Sequence, residues 1–145
     1  MTALVVDASV WVAAADAVDP FSTHSRAFLA AAAARGQPLA VPSLARIEVA
    51  CALARRLQDA PAARRLSDGM VRSPLVREHA LDAALVDLAV TSGTAARLRA
   101  ADAVYLALAE KLRARVVTWD AELIRRGNAM TPEAWLAHHP AIPEE

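Results

Sequence analysis

Ala3-Leu4-Val5-Val6-Asp7-Ala8-Ser9 decides the reading of this chain, because a short Val-rich apolar run stops abruptly on a carboxylate. Such a run reads as a central strand of a parallel sheet, apolar toward both faces. In open α/β sheets, ligands bind outside the carboxyl ends of the strands, so Asp7 stands where chemistry is expected. Asp7 or Ser9 would serve equally well as a cap for the helix that follows.

Working outward, residues 9–15 read as a short helix, and a longer one runs from Phe21 to about Arg35 after Asp19-Pro20, ended by Gly36. Pro38-Leu39-Ala40-Val41-Pro42 is too short for a helix and reads as a second strand, followed by a helix that Ser43 caps and that runs to about Gln58. Pro61 opens another helix that finishes near Arg72, and residues 75–81 read as a short edge strand. The next helix spans residues 82–90 and stops at Ser92-Gly93; residues 94–98 link it to a strongly helical stretch, 101–112. Arg115-Val116-Val117-Thr118 is a further strand that Trp119-Asp120 closes, residues 121–126 form a short helix ended by Gly127, and Thr131-Pro132-Glu133 starts a last helix. Strands alternating with helices predict a central, mainly parallel sheet of four or five strands, covered on both faces: an α/β fold of three layers.

Most of the sixteen acids are ordinary surface residues, but four occur where a carboxylate is costly. Asp7 and Asp120 each follow a Val-Val core and would meet at one sheet edge if their strands are parallel neighbours. Glu48 lies in mid-helix on a stripe with Leu44, Ala45, Cys51 and Ala52, so it needs either an arginine, with Arg55 two turns along, or a metal. Asp102 stands near a helix start, where the dipole favours an acid, with Leu98, Tyr105 and Leu106 on its face. At 4 Å separation, paired carboxylates repel by about 1 kcal/mol in water and about 4 kcal/mol in an effective dielectric near 20. Four together call for cations, and an all-oxygen set suits Mg²⁺ or Mn²⁺ rather than zinc or copper. Ions held there would activate a water against a phosphodiester. Ser9 and Thr118, each two residues from an acid, could orient ligands or water.

These pieces, Val5-Val6-Asp7-Ala8-Ser9, Pro42-Ser43-Leu44-Ala45-Arg46-Ile47-Glu48, Ala101-Asp102-Ala103-Val104-Tyr105-Leu106-Ala107-Leu108-Ala109 and Val116-Val117-Thr118-Trp119-Asp120, resemble the PIN-domain ribonucleases, and in particular the VapC-type toxins of bacterial toxin–antitoxin pairs. They occur in that family's order and span most of the chain. The resemblance implies a three-layer α/β/α domain covering residues 1–145, hydrolysis of RNA, and Asp7, Glu48, Asp102 and Asp120 as the metal-binding and catalytic quartet, with Ser9 and Thr118 in support. It further implies Mg²⁺ or Mn²⁺ as cofactor, a homodimer, and an antitoxin partner whose arginine could enter the acidic groove. Trp119 falls at a position from which nothing is drawn.

The totals set outer limits. A chain of 145 residues, 56% hydrophobic and 22% charged, can bury roughly two thirds of its unfolded surface without a staple. Cys51 is the only cysteine, excluding an internal disulfide and Cys-based zinc clusters, and fits a reducing, cytoplasmic home. The N-terminus does not read as a secretory signal, and the longest uncharged apolar run, residues 27–34, is far short of the roughly 20 that span a bilayer. Sixteen basic residues cancel sixteen acids, so a nucleic-acid partner must be argued locally. Arg46, Arg97 and Arg99 flank the acids in sequence and are candidates for phosphate contacts, while no aromatic stacking platform stands out. His24, His79, His138 and His139 fall in or near expected surface turns and read as bystanders.

Two phosphoryl-transfer readings fit poorly. An aspartyl-nucleophile hydrolase would want a second acid where Ser9 stands, and a receiver-type acceptor would want a lysine beyond Thr118. A module that kept the fold but not the catalysis, and binds a basic peptide or RNA through its acids, remains the alternative from a different class.

Overall fold

The computed structural model describes residues 1–140, in the order β1 (Leu4–Val6), α1 (Ala8–Ala15), α2 (Ser22–Ala34), β2 (Leu39–Pro42), α3 (Leu44–Leu57), α4 (Ala60–Arg72), β3 (Val76–His79), α5 (Ala83–Ala96), α6 (Ala100–Leu112), β4 (Arg115–Val117), α7 (Ala121–Arg126) and α8 (Pro132–His138). The four strands form one all-parallel sheet in the order β3-β2-β1-β4. Val5 and Val6 register with Val116 and Val117, so the two Val-Val cores are neighbours. A single bridge from Val117 to Met130 lies where a fifth strand would add.

Alternation along the strands sorts the core into the two layers that flank the sheet. Val5, Ala40 and Val116 pack with α3, α4, α5 and α6 through residues such as Leu53, Met70, Leu85 and Leu108. Val6, Leu39 and Val117 pack on the other face against Phe28 and Ala32 of α2 and Trp135 of α8. Helix α1 serves both, with Val12 in the first cluster and Val10 in the second. The result is the expected α/β/α sandwich.

Strand order decides where the site lies. The chain steps from β1 to β2 to β3 in one direction, then returns to place β4 on the far side of β1. The connections leaving β1 and β4 therefore diverge, opening a crevice at their carboxyl ends. Asp7 and Asp120 stand at that crevice.

Three local expectations are corrected. Ser92-Gly93 does not stop a helix, since α5 runs on to Ala96 and ends with Arg97 in the left-handed region at φ 57°. The reason is packing: a Cβ on Gly93 would come within 2.4 Å of the Ala103 Cβ, so glycine is what lets α5 and α6 approach. Ser43 stands at the N-cap of α3 as expected, but its hydroxyl does not bond the helix; it accepts the Leu81 N–H at 3.1 Å instead, tying the helix start to the segment after the edge strand. His24 falls in the first turn of α2 and His79 ends β3, so both lie near the ends of elements rather than within turns. Among the described residues, no helix is long and apolar enough to cross a membrane.

Candidate active site

Asp7 is the first residue past β1, and its backbone N–H still donates to Val117 O at 3.0 Å, continuing the ladder with β4. Its side chain is buried and caps α1, with Oδ2 accepting the Ser9 N–H at 3.4 Å and the Thr118 hydroxyl at 2.8 Å. Both bonds fall on Oδ2, which leaves Oδ1 uncommitted by them. Burial raises the Asp7 carboxyl above its usual range and the charge of Asp120 adds to this, while the Ser9 and Thr118 hydrogen bonds pull the other way.

Thr118, fully buried, is the hinge of the site. Its Oγ1 donates to Asp7, accepts the Asp120 N–H at 2.9 Å and lies 3.4 Å from Ser9 Oγ. Ser9 Oγ in turn accepts the Trp119 N–H at 3.1 Å, so the ends of β1 and β4 are stitched together by hydroxyls. Asp120 caps α7, with Oδ1 accepting the N–H groups of Glu122 and Leu123 at 2.9 and 3.0 Å. Both strand-end acids thus do cap helices, and both also face the crevice.

Glu48 and Asp102 come from the helical layer beside the sheet. The Tyr105 hydroxyl donates to Glu48 Oε1 at 2.7 Å, so the partner of this acid is a buried tyrosine on α6 rather than Arg55. Burial raises the Glu48 carboxyl, and Asp7 and Asp102 raise it further against the Tyr105 bond. Cys51, placed by periodicity on the same stripe, is exposed. Asp102 lies in the first turn of α6, and its carboxyl is pushed up to about 6 by burial, then by Asp120 and Asp7, with Arg99 acting in the opposite sense. Its Oδ2 is buried without a hydrogen-bond partner.

Asp7, Glu48, Asp102 and Asp120 line one cavity of about 450 Å³ together with Ser9, Asp19, Phe21, Arg56 and Trp119. Among the described residues no group of three or more acids, histidines or cysteines is placed close enough to hold a metal ion as it stands. The quartet therefore shares a cavity and a field without being contracted onto one point. Of the three arginines singled out, Arg99 reaches the acids: Nε lies 3.7 Å from Asp102 and 3.6 Å from Glu122, and Nη2 lies 3.5 Å from Asp120. Arg97 caps α5, and its carbonyl accepts from Arg126 at 2.9 Å. Arg46 faces a different groove, paired with Asp68 at 3.4 Å and Glu78 at 3.5 Å.

Several residues of the cavity went unflagged in the sequence. Asp19 is a fifth acid on its wall, paired with Arg56, while Glu122 lies outside the lining and meets Arg99 at 3.6 Å. Phe21 stacks on Trp119 with ring centroids 4.2 Å apart and planes 11° from parallel, so an aromatic pair does border the acids. The position of Trp119 between Thr118 and Asp120 was its only sequence signal.

Known proteins share this architecture. VapC20 of Mycobacterium tuberculosis, described as a sarcin–ricin loop cleaving toxin, superposes with a TM-score of 0.73 at 20% identity over 86% of this chain and 95% of that one. PAE2754 of Pyrobaculum aerophilum gives 0.69 at 25% identity over 94% and 88%. A protein of a toxin–antitoxin complex from Klebsiella pneumoniae gives 0.61 at 18% identity over 90% and 98%. No curated protein matches the sequence. The model of the PIN domain matches residues 4–129, from the first strand to the loop that returns toward the sheet. With the acids of that span gathered at the crevice between β1 and β4, this chain belongs to the PIN domain family.

Proposed function

We propose that this protein is a metal-dependent endoribonuclease that hydrolyses RNA phosphodiester bonds in the cavity of Asp7, Glu48, Asp102 and Asp120, and that it acts as the toxin of a toxin–antitoxin pair. The observation that carries this reading is an incompletely neutralised cluster: four acids from four parts of the fold line one cavity, three of them with raised carboxyls, and Asp102 Oδ2 is buried without a hydrogen-bond donor, with Arg99 at 3.7 Å. A buried carboxylate oxygen without a donor is costly, and an exposed arginine at ion-pair distance offsets little of that cost, so a further cation is favoured there. The all-oxygen donor set fits Mg²⁺ or Mn²⁺, with Asp7, Glu48, Asp102 and Asp120 as the residues that would hold it. Bound there, such an ion would polarise the phosphodiester and lower the pKa of the attacking water.

The chain's own residues prepare that step. Thr118 and Ser9 hold Asp7 in one orientation, Tyr105 holds Glu48, and the first turn of α7 holds Asp120 through Oδ1, which leaves Oδ2 to Arg99 at 3.5 Å. Arg99 is exposed and faces its acids at ion-pair rather than hydrogen-bond distance, so it can turn to a substrate phosphate, with exposed Arg97 two residues before it on the chain. RNA as substrate and an antitoxin as partner are supported by the descriptions of the M. tuberculosis and K. pneumoniae neighbours. Exposed Ile47 on α3 and Val86 and Val90 on α5 offer apolar surface for an antitoxin and for a second copy. Exposed, unpaired Cys51 suits a reducing cytoplasm.

The test is cleavage of a mixed RNA pool by purified protein in Mg²⁺ or Mn²⁺, beside chelator and Asp7→Asn. Cleavage lost under both controls is the expected result. Folded protein that binds RNA or a basic peptide yet never cleaves, with or without metal, would favour the silent binding module.

A further inference from the structure

Phe21 is about half exposed (45%), although it is one of only two phenylalanines in the chain and stands at the rim of a charged cavity. Its ring lies flat on the Trp119 indole, and the pair is held from several sides. Trp119 Nε1 donates to the Oγ of fully buried Ser25 at 2.8 Å, its backbone N–H donates to Ser9 Oγ, and His24 meets it edge-on at 6.4 Å. Phe21 N–H donates to Asp19 Oδ1 at 2.8 Å. Arg56 of α3 then clamps the loop, reaching Asp19 at 2.5 Å and Asp16 at 3.2 Å, and this pairing holds Asp19 below the usual carboxylate range although burial acts the other way. Side-chain and backbone freedom have thus been removed from an aromatic whose outer face remains in water.

A ring needed only for packing would lower its free energy by going inward. A rigid ring with one face covered by an aromatic and the other open is instead suited to take a third planar partner. The proposed catalytic acids beside it name the partner. Trp119 is covalently between Thr118 and Asp120, so the stack is fixed relative to the acids that would act on a phosphodiester. We propose that Phe21, backed by Trp119, is a stacking platform for one unpaired nucleobase next to the scissile bond of an RNA substrate. This rests on the nuclease reading and adds the substrate class: a nucleotide in a loop, bulge or single strand, because a base inside a helix cannot offer its face. Stacking tolerates all four bases, so the platform positions the substrate more than it reads sequence.

The test uses a fluorescein-labelled, random-sequence single-stranded RNA 20-mer with wild type, Phe21→Ala, Phe21→Leu and Phe21→Tyr, in Mn²⁺. Base–aromatic stacking predicts an apparent KM raised about 5- to 100-fold in Phe21→Ala and Phe21→Leu, with a smaller change in kcat, and near wild-type KM in Phe21→Tyr. Phe21→Leu keeps the apolar contact with Trp119, and an unchanged Mn²⁺-induced thermal shift in the variants checks that fold and acids are intact. A wild-type KM in Phe21→Leu would overturn the platform and leave the nuclease standing. If wild type neither binds nor cleaves the RNA while folded in Mn²⁺, platform and nuclease fall together.

Discussion

At Asp102, burial and the neighbouring charges of Asp120 and Asp7 outweigh Arg99 and push the carboxyl up to about 6. The folded chain therefore holds this proton more tightly than the unfolded one between about pH 4 and 6, and the stability it contributes is present at low pH and lost as pH rises through that window. Asp102→Asn should accordingly stabilise the metal-free protein at pH 7.5 by about 1 kcal/mol after solvent screening, and not at pH 4, in urea denaturation followed by circular dichroism. A variant less stable than wild type at pH 7.5 would contradict the picture of a carboxylate that Arg99 does not fully offset. Tyr105→Phe removes the donor to Glu48 and should cost about 1–2 kcal/mol in the same assay, with weaker Mn²⁺ binding. The strand-end acids were legible from the sequence because a carboxylate directly after a Val-Val core marks the point where a buried strand reaches the sheet edge. The aromatic pair was not, because Phe21 and Trp119 are far apart in the chain and meet only through the packing of α2 against β4. The direction of Arg46 was lost for a related reason: nearness in sequence to Glu48 does not place it on the same helix face.

Helices α5 and α6 show how tertiary packing overrides a local stop signal. A glycine inside a helix is disfavoured relative to alanine by roughly 0.5–1 kcal/mol, which made Ser92-Gly93 read as an end. Gly93 is nonetheless interior to α5, because Ala103 of α6 occupies the space a side chain would need. Gly93→Ala should destabilise the protein by about 1–3 kcal/mol despite its better helix propensity. Gly69→Ala in α4, where nothing lies within 4 Å of the added carbon, should stabilise by about 0.5–1 kcal/mol. Thermal denaturation of the two variants reads both signs at once. If both substitutions stabilise, α5 and α6 do not approach as closely as Gly93 and Ala103 require. The strands and most helix ends were legible since Pro, Gly and apolar runs punctuate them, whereas the role of Ser43 depended on Leu81, which no local rule reaches.

Across the whole molecule, the alternation of strands and helices gave the layers, while the order β3-β2-β1-β4, which opens the crevice between β1 and β4, emerges only from the pairing itself. That order makes the carboxylates of two strand ends and two helices face one volume, and the central claim is that they do so to hold a divalent cation. A cation that binds only the folded chain should raise stability by about 2.7 kcal/mol at 100 times its dissociation constant. The effect should be larger at pH 7.5 than at pH 5.5, because the raised carboxyls of Asp7, Glu48 and Asp102 must lose their protons to bind metal. The most direct measurement is calorimetric titration of Mn²⁺ into wild type, Asp7→Asn and Asp102→Asn at pH 7.5. Saturable binding to wild type that is lost or at least tenfold weaker in both variants is the expected result. Equal binding in all three proteins, or none to folded wild type, would contradict the assignment of these acids to a metal site.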